Sequence, residues 1–276
     1  MKKSVKSELI LETAKGLKVD DGFRRLTKKY RSGITETYFK ILTEECSKRA
    51  GREIGNYYSY SFDDLLFFDY ESKNDLINRI KNAILFLLKI NGIKIKRVLV
   101  VGLGNEKYAC DSLGKRVVEK ILITKPYLER DFFSSKKMKE VYAISLGVYG
   151  TTGLESSDTI KSICEMIKPD LVIAIDSLVA SDAKFLAKSV QISDTKLSPG
   201  GGVGNNRQEI SEAVLKTKVI AIGVPLVINF GGDVGDLIVT PKDVETKVLA
   251  ISKIIAKAIN LSFSKLTEKE YLDLTN

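Results

Sequence analysis

From Lys96 to about Asn260, short runs of β-branched residues alternate with longer stretches in which apolar and charged residues recur at helical spacing. Arg97–Gly102 (RVLVVG), Val141–Leu146 (VYAISL), Asp170–Ile175 (DLVIAI) and Lys218–Ile222 (KVIAI) are apolar runs of strand length, the pattern of strands covered on both faces. Between and after them, Asp111–Leu122, Ser157–Ile167, Arg207–Leu215 and Pro241–Ile259 read as helices. This order predicts the α/β class: a doubly wound, mostly parallel sheet with helices on both faces. Ahead of it, Glu36–Arg49 and more strongly Asn74–Lys89 show amphipathic helical spacing, so the N-terminal third is expected to add helices and an edge strand to the same sheet. No repeat, low-complexity tract or compositional break divides the chain. Residues 1–276 therefore read as a single domain, with 1–30 as an N-terminal segment and 96–260 as the core.

Composition narrows the chemistry more than the fold. With 276 residues, 44% of them apolar, the chain can build a substantial core. The longest apolar run of its first half, Ala83–Leu88, is far short of the roughly 20 residues of a membrane span, and no signal peptide precedes it. An intracellular protein with no membrane partner is expected. Cys46, Cys110 and Cys164 are widely spaced and form no C-x-x-C pair, so free thiols are expected. The formal charge of +9 is spread through the helices and not gathered in one arm with aromatics, which argues against a direct nucleic-acid partner.

Histidine is absent altogether, which removes the usual base near neutral pH and the commonest metal ligand. Ser-His-Asp and Cys-His catalysis and the H-E-x-x-H zinc motif are thereby excluded. Chemistry must run on carboxylates, Lys, Tyr, Cys or backbone amides. The sequence calls for no cofactor and no metal.

Ligands of open α/β sheets gather outside the carboxyl ends of the strands, and two aspartates are expected there. Asp111 follows "VVGLGNEKYAC" and Asp176 follows "LVIAI". Each, taken singly, reads as well as a helix N-cap. Brought together in a histidine-free chain, two carboxyls can share one proton, giving a base and an acid that activate water against a peptide bond. The strand end Gly102-Leu103-Gly104 starts like a dinucleotide fingerprint, but Lys107 stands where the third glycine belongs. The stretch "SPGGGVGNNR", Ser198 to Arg207, lets backbone approach a ligand closely. Gly201, Gly202 and Gly204 are candidate oxyanion donors, with Asn205 and Arg207 as candidate substrate-positioning residues. Composition equally allows a plain strand-to-helix connection, and the stretch lacks the Lys and Ser/Thr of a Walker A loop.

"VVGLGN…DSLGKRVVEKIL", "GTTGLESSDTI", "IKPDLVIAIDSLVASD", "QISDTKLSPGGGVGNNR", "VIAIGVPLVIN" and "IVTPKDVETKV" follow one another in an order and phrasing that resembles the spore germination protease family. The resemblance runs from Val100 to about Asn260. It implies an endopeptidase of the spore core that starts degradation of small acid-soluble spore proteins. It also implies an atypical aspartic mechanism, a fold similar to hydrogenase maturation endopeptidases, and a homo-oligomer. The family's two candidate catalytic aspartates fall on Asp111 and Asp176. Its zymogens lose a short N-terminal segment at a site of the form T-[DE]-[FLI]-A before x-E. Ser7-Glu8-Leu9-Ile10-Leu11-Glu12 is similar, with Ile10 in place of the small residue.

The chain departs from the family pattern at several points. Cys110 replaces a proline, the arginine after the second aspartate's motif is missing, Asn229 stands where an acidic residue is usual, and the insertion after that motif shrinks to Gly231–Asp236. These departures define the alternative reading, a catalytically silent relative that binds spore proteins or an active protease.

Overall fold

The computed structural model describes residues 7–20, 22–130, 137–201, 207–230 and 237–275. Its strands are β1 (Phe23–Lys29), β2 (Thr35–Ile41), β3 (Gly55–Ser61), β4 (Arg97–Gly102), β5 (Glu140–Ser145), β6 (Leu171–Ala180), β7 (Ser189–Ser193), β8 (Lys218–Phe230) and β9 (Leu237–Val239). Its helices are α1 (Ile10–Thr13), α2 (Glu44–Ala50), α3 (Tyr70–Ile90), α4 (Leu113–Val118), α5 (Lys125–Glu129), α6 (Tyr149–Thr152), α7 (Ser156–Ile167), α8 (Glu212–Leu215), α9 (Val244–Phe263) and α10 (Glu268–Thr275). All nine strands join one sheet in the order β1-β2-β3-β7-β8-β6-β4-β5, with β9 paired to the far end of β8.

The sheet is mixed. The β8-β6-β4-β5 half is parallel and corresponds to the four apolar runs of the sequence. The β1-β2-β3-β7 half is antiparallel throughout and pairs onto β8. This second half corrects the expected N-terminal helices: Glu36–Arg49 divides into most of β2 and the short α2. Thr37, Phe39 and Ile41 are buried at a period of two, so residues 35–41 belong to a sheet. Thr43 then caps α2 by accepting the Cys46 N–H at 3.3 Å. The expected helix at Arg207–Leu215 is likewise reduced to α8, because Leu197 and Ile210 pair as an isolated bridge ahead of it.

Helices cover both faces. On one, α3, α4 and α9 pack over Val98, Val100, Ile173, Ile175, Ile220 and Ile222. The Asp69 cap starts α3, accepting the Ser72 N–H at 2.7 Å, and its apolar stripe from Leu76 to Leu88 is buried, each large side chain contributing about 2 kcal/mol. On the other face, Ile160 and Cys164 of α7 pack with Leu99, Val101, Val172 and Ala174. Because β4 connects outward to β5 on one side and has β6 on the other, the chain reverses direction across the sheet between β4 and β6. That crevice, just past the carboxyl end of β4 and beside the middle of β6, is where the two aspartates emerge.

Two glycine contacts shape the crevice. A Cβ on Gly102 would stand 2.2 Å from the Gly114 carbonyl oxygen, so α4 abuts the end of β4 backbone to backbone. Gly104 has φ of +112°, and a Cβ there would lie 2.0 Å from the Asp111 carbonyl oxygen. Gly104→Ala combines a left-handed backbone with a backbone clash and is expected to cost about 3 kcal/mol in urea unfolding. Gly150→Ala, with no atom in reach of the new methyl, serves as the control and leaves the midpoint unchanged.

Candidate active site

Asp176 lies inside β6 and is only 7% exposed. Strand pairing places it in one row with Gly223 of β8, Gln191 of β7 and Ser59 of β3. Paired residues share a face of the sheet, so Asp176 and Gln191 project together on either side of a residue with no side chain. Gly223 is required there: its Cβ would meet Leu178 at 2.5 Å. One Asp176 carboxylate oxygen accepts the Ser177 N–H at 2.8 Å.

Asp111 ends a single 3-10 turn, Ala109–Asp111, in the connection from β4 to α4. It does not cap α4. Its carboxylate turns back along the loop and accepts the Asn105 N–H at 2.8 Å. The glycines at 102 and 104 thus fold the β4 end around a carboxylate, not a phosphate.

Among the described residues neither aspartate has a Lys or Arg partner within ion-pair distance. Burial raises the Asp111 carboxyl to about 6, with the Asn105 N–H opposing the shift. Burial raises Asp176 well above the usual carboxylate range, and the charges of Asp111 and Glu8 push it further. Burial thus favours the protonated form of both carboxyls, and the Asp111 charge reaches Asp176 and adds to the effect there. Burial and the Asp111 charge also raise the Cys110 thiol, which favours its protonated form.

A cavity of about 370 Å³ lies over Gly223 and Ala221, walled by Leu178, Gln191, Arg52 and Ser198. Asp176 lies on β6 two residues before the Leu178 wall, in register with Gly223. Of the glycine stretch, Gly202, Gly204 and Asn205 lie outside the described residues. The Gly201 N–H donates to the Ser198 carbonyl at 3.1 Å, and Gly201 sits against the Glu8 carboxylate. Arg207 is held by Glu155, 3.3 Å from its guanidinium, and lies 4.2 Å over the Tyr149 ring.

Sequence reasoning missed the far wall. Gln191 is the lone polar residue between Val190 and Ile192 in β7, a position that carries a signal once the run is read as a strand. Arg52 follows the α2 terminator Gly51 and carries no such mark.

Raised carboxyls make stability fall as pH rises, because the folded chain holds protons that the unfolded chain has released. Asp111→Asn and Asp176→Asn are each expected to melt roughly 4 °C or more above the parent at about pH 8, the gain shrinking toward zero near pH 4. Differential scanning calorimetry at the two pH values checks this. A gain equal at both would show that the carboxyls are not raised by the fold.

The chain matches the family described as Germination protease over residues 12–236. It is 34% identical to a germination protease of Clostridium tetani, over 88% of this chain and 89% of that one. A germination protease of Caldanaerobacter subterraneus subsp. tengcongensis is 33% identical, over 86% of this chain and 87% of that one. Among solved structures, a NiFe hydrogenase maturation protease from Thermococcus kodakarensis aligns with 60% of this chain and 93% of its own, at 15% identity and a TM-score of 0.35, too slight a likeness to carry an argument. Matched over most of its length by both the family and its curated relatives, the chain belongs to the germination protease family.

Proposed function

We propose that this protein is an endopeptidase that begins the degradation of small acid-soluble spore proteins, with Asp111 and Asp176 as its catalytic pair. The observation that carries the reading is the placement of two cation-free carboxyls, one at each side of the β4–β6 crevice, each raised by burial and joined through their charges. Above about pH 6 the pair holds one negative charge and one proton. The ionised member takes a proton from water as that water attacks the scissile carbonyl, and the protonated member delivers a proton to the leaving amine. Backbone N–H groups of the 201–204 stretch are the candidate donors to the tetrahedral oxyanion, each worth roughly 3 kcal/mol in comparable sites. The Gly201 N–H donates to the Ser198 carbonyl, so the role passes to the rest of the stretch. Asn205 and Arg207 are assigned to substrate positioning.

The test is to incubate the chain with a small acid-soluble spore protein and follow intact masses. The parent is expected to make an early internal cut, and Asp111→Asn or Asp176→Asn to slow it by roughly a thousand-fold without unfolding the protein. The parent's kcat/KM is expected to fall on the acid side below about pH 6, where the base form of the pair is lost. Full cleavage by both folded variants would remove the aspartates from the mechanism.

A further inference from the structure

The stretch Ser7–Glu12, which resembles a processing site in sequence, lies against the strands that carry the site. The Glu8 N–H donates to the Val179 carbonyl at 2.9 Å, and the Val179 N–H donates to the Glu8 carboxylate at 2.8 Å. Gln191 grips the same stretch at two points: its Oε1 accepts the Ile10 N–H at 2.7 Å and its Nε2 donates to the Glu8 carbonyl at 3.2 Å. Arg52 closes the grip by donating from Nη2 to the Ser7 carbonyl at 2.7 Å and from Nε to the Thr13 hydroxyl at 3.3 Å. Leu9, 1% exposed, fills an apolar pocket formed by Leu178, Ala180, Leu186 and Ile228. Beyond it, the Glu12 carboxylate accepts the N–H groups of Ser181 and Asp182 at 2.9 and 2.8 Å.

Most of these bonds are independent of the bound sequence. Val179, Gln191 and Arg52 read the main chain of residues 7, 8 and 10, as a strand partner reads an added peptide. Side chains are read by the Leu9 pocket, by the N–H groups that meet the two glutamates, and by the Arg52 Nε at the Thr13 hydroxyl. The track also points to the aspartates. Gln191 shares its row with Asp176 across Gly223, and the bulge at Leu178/Val179, opposite Pro225, turns the end of β6 toward residue 8. Gln191, Arg52 and Leu178 are walls of the cavity as well, so an emptied track and the cavity form one groove.

We propose that Gln191 and Arg52 are the main-chain clamp of a peptide track leading to Asp111 and Asp176. In this structure Ser7 to Ile10 fill the track, and substrate peptides take the same path when that segment withdraws. The inference rests on the peptidase reading for its substrate, but its test does not. Gln191 and Arg52 are positioning residues, acting on the peptide and not on the reacting atoms.

The probe is a fluorescein-labelled peptide of the sequence Ser-Glu-Leu-Ile-Leu-Glu-Thr, titrated by anisotropy against the full chain. Leu9→Asp, which places a charge in the apolar pocket, is expected to release the resident segment and bind the probe about ten-fold or more tighter than the parent. Adding Gln191→Ala or Arg52→Ala to that variant is expected to weaken binding by about ten-fold each, with unchanged thermal melts. In the cleavage assay the same additions raise KM and leave kcat within about two-fold, since main-chain binding is lost equally from ground and transition states. A folded Leu9→Asp chain that binds no probe, or binds it equally with and without Gln191 and Arg52, overturns the clamp even if the parent cleaves spore proteins. Clamp-dependent binding with no cleavage by any variant upholds the track and sinks the peptidase reading instead.

Discussion

A carboxyl group buried in the middle of a strand, with no cation beside it, is the constraint around which this crevice is built. Leaving Asp176 ionised there costs several kcal/mol, because water is excluded and no Lys or Arg among the described residues compensates. The cheaper state is a protonated one, and Asp111 reinforces it: a second carboxylate nearby makes the loss of that proton harder still. The same arrangement that costs stability at neutral pH is the one from which we propose that a base and an acid are drawn without histidine. The glycines around it serve this end. Gly102 and Gly114 let α4 close on β4, Gly104 lets the loop fold back so that Asn105 holds the Asp111 carboxylate, and Gly223 keeps the floor beside Asp176 clear.

The antiparallel half of the sheet has a corresponding part to play. A doubly wound parallel sheet ending at β8 would leave the site open on that side. Pairing β7 onto β8 brings Gln191 into register with Asp176, and β3 with the turn after α2 brings Arg52 to the rim. One side of the groove therefore carries the buried carboxyls, and the other carries side chains that hydrogen-bond the main chain of residues 7, 8 and 10. The N-terminal residues lie between the two, and the Glu8 charge adds to the field that keeps Asp176 protonated.

Much of the parallel half was legible in the sequence because its strands are buried on both faces and so stand out as unbroken apolar runs; Arg97–Gly102 matches β4 residue for residue. Asp176 stands out in the sequence because it directly follows the run LVIAI, and Asp111 because it follows the turn after RVLVVG. The antiparallel strands were not, since they alternate. Residues 35–41 read TETYFKI, in which polar and apolar residues interleave, and a window spanning Leu42 and α2 imitates helical spacing. The continuation of β8 past Ile222 was hidden by Gly223 and Pro225, residues that ordinarily end a strand and here sit beside a bulge. Cross-strand register is a tertiary property, so no one-dimensional pattern could place Gln191 opposite Asp176.

The central claim, that Asp111 and Asp176 hold one proton in common, is tested most directly by carbon-13 NMR of the two side-chain carboxyls in the full chain, each assigned by its Asn variant and followed from acid to alkaline pH. The account predicts that both resonances move in the same two steps, the first near pH 6, and that neutralising Asp111 lowers the titration of Asp176. Two independent single-step curves in the ordinary carboxylate range would contradict it.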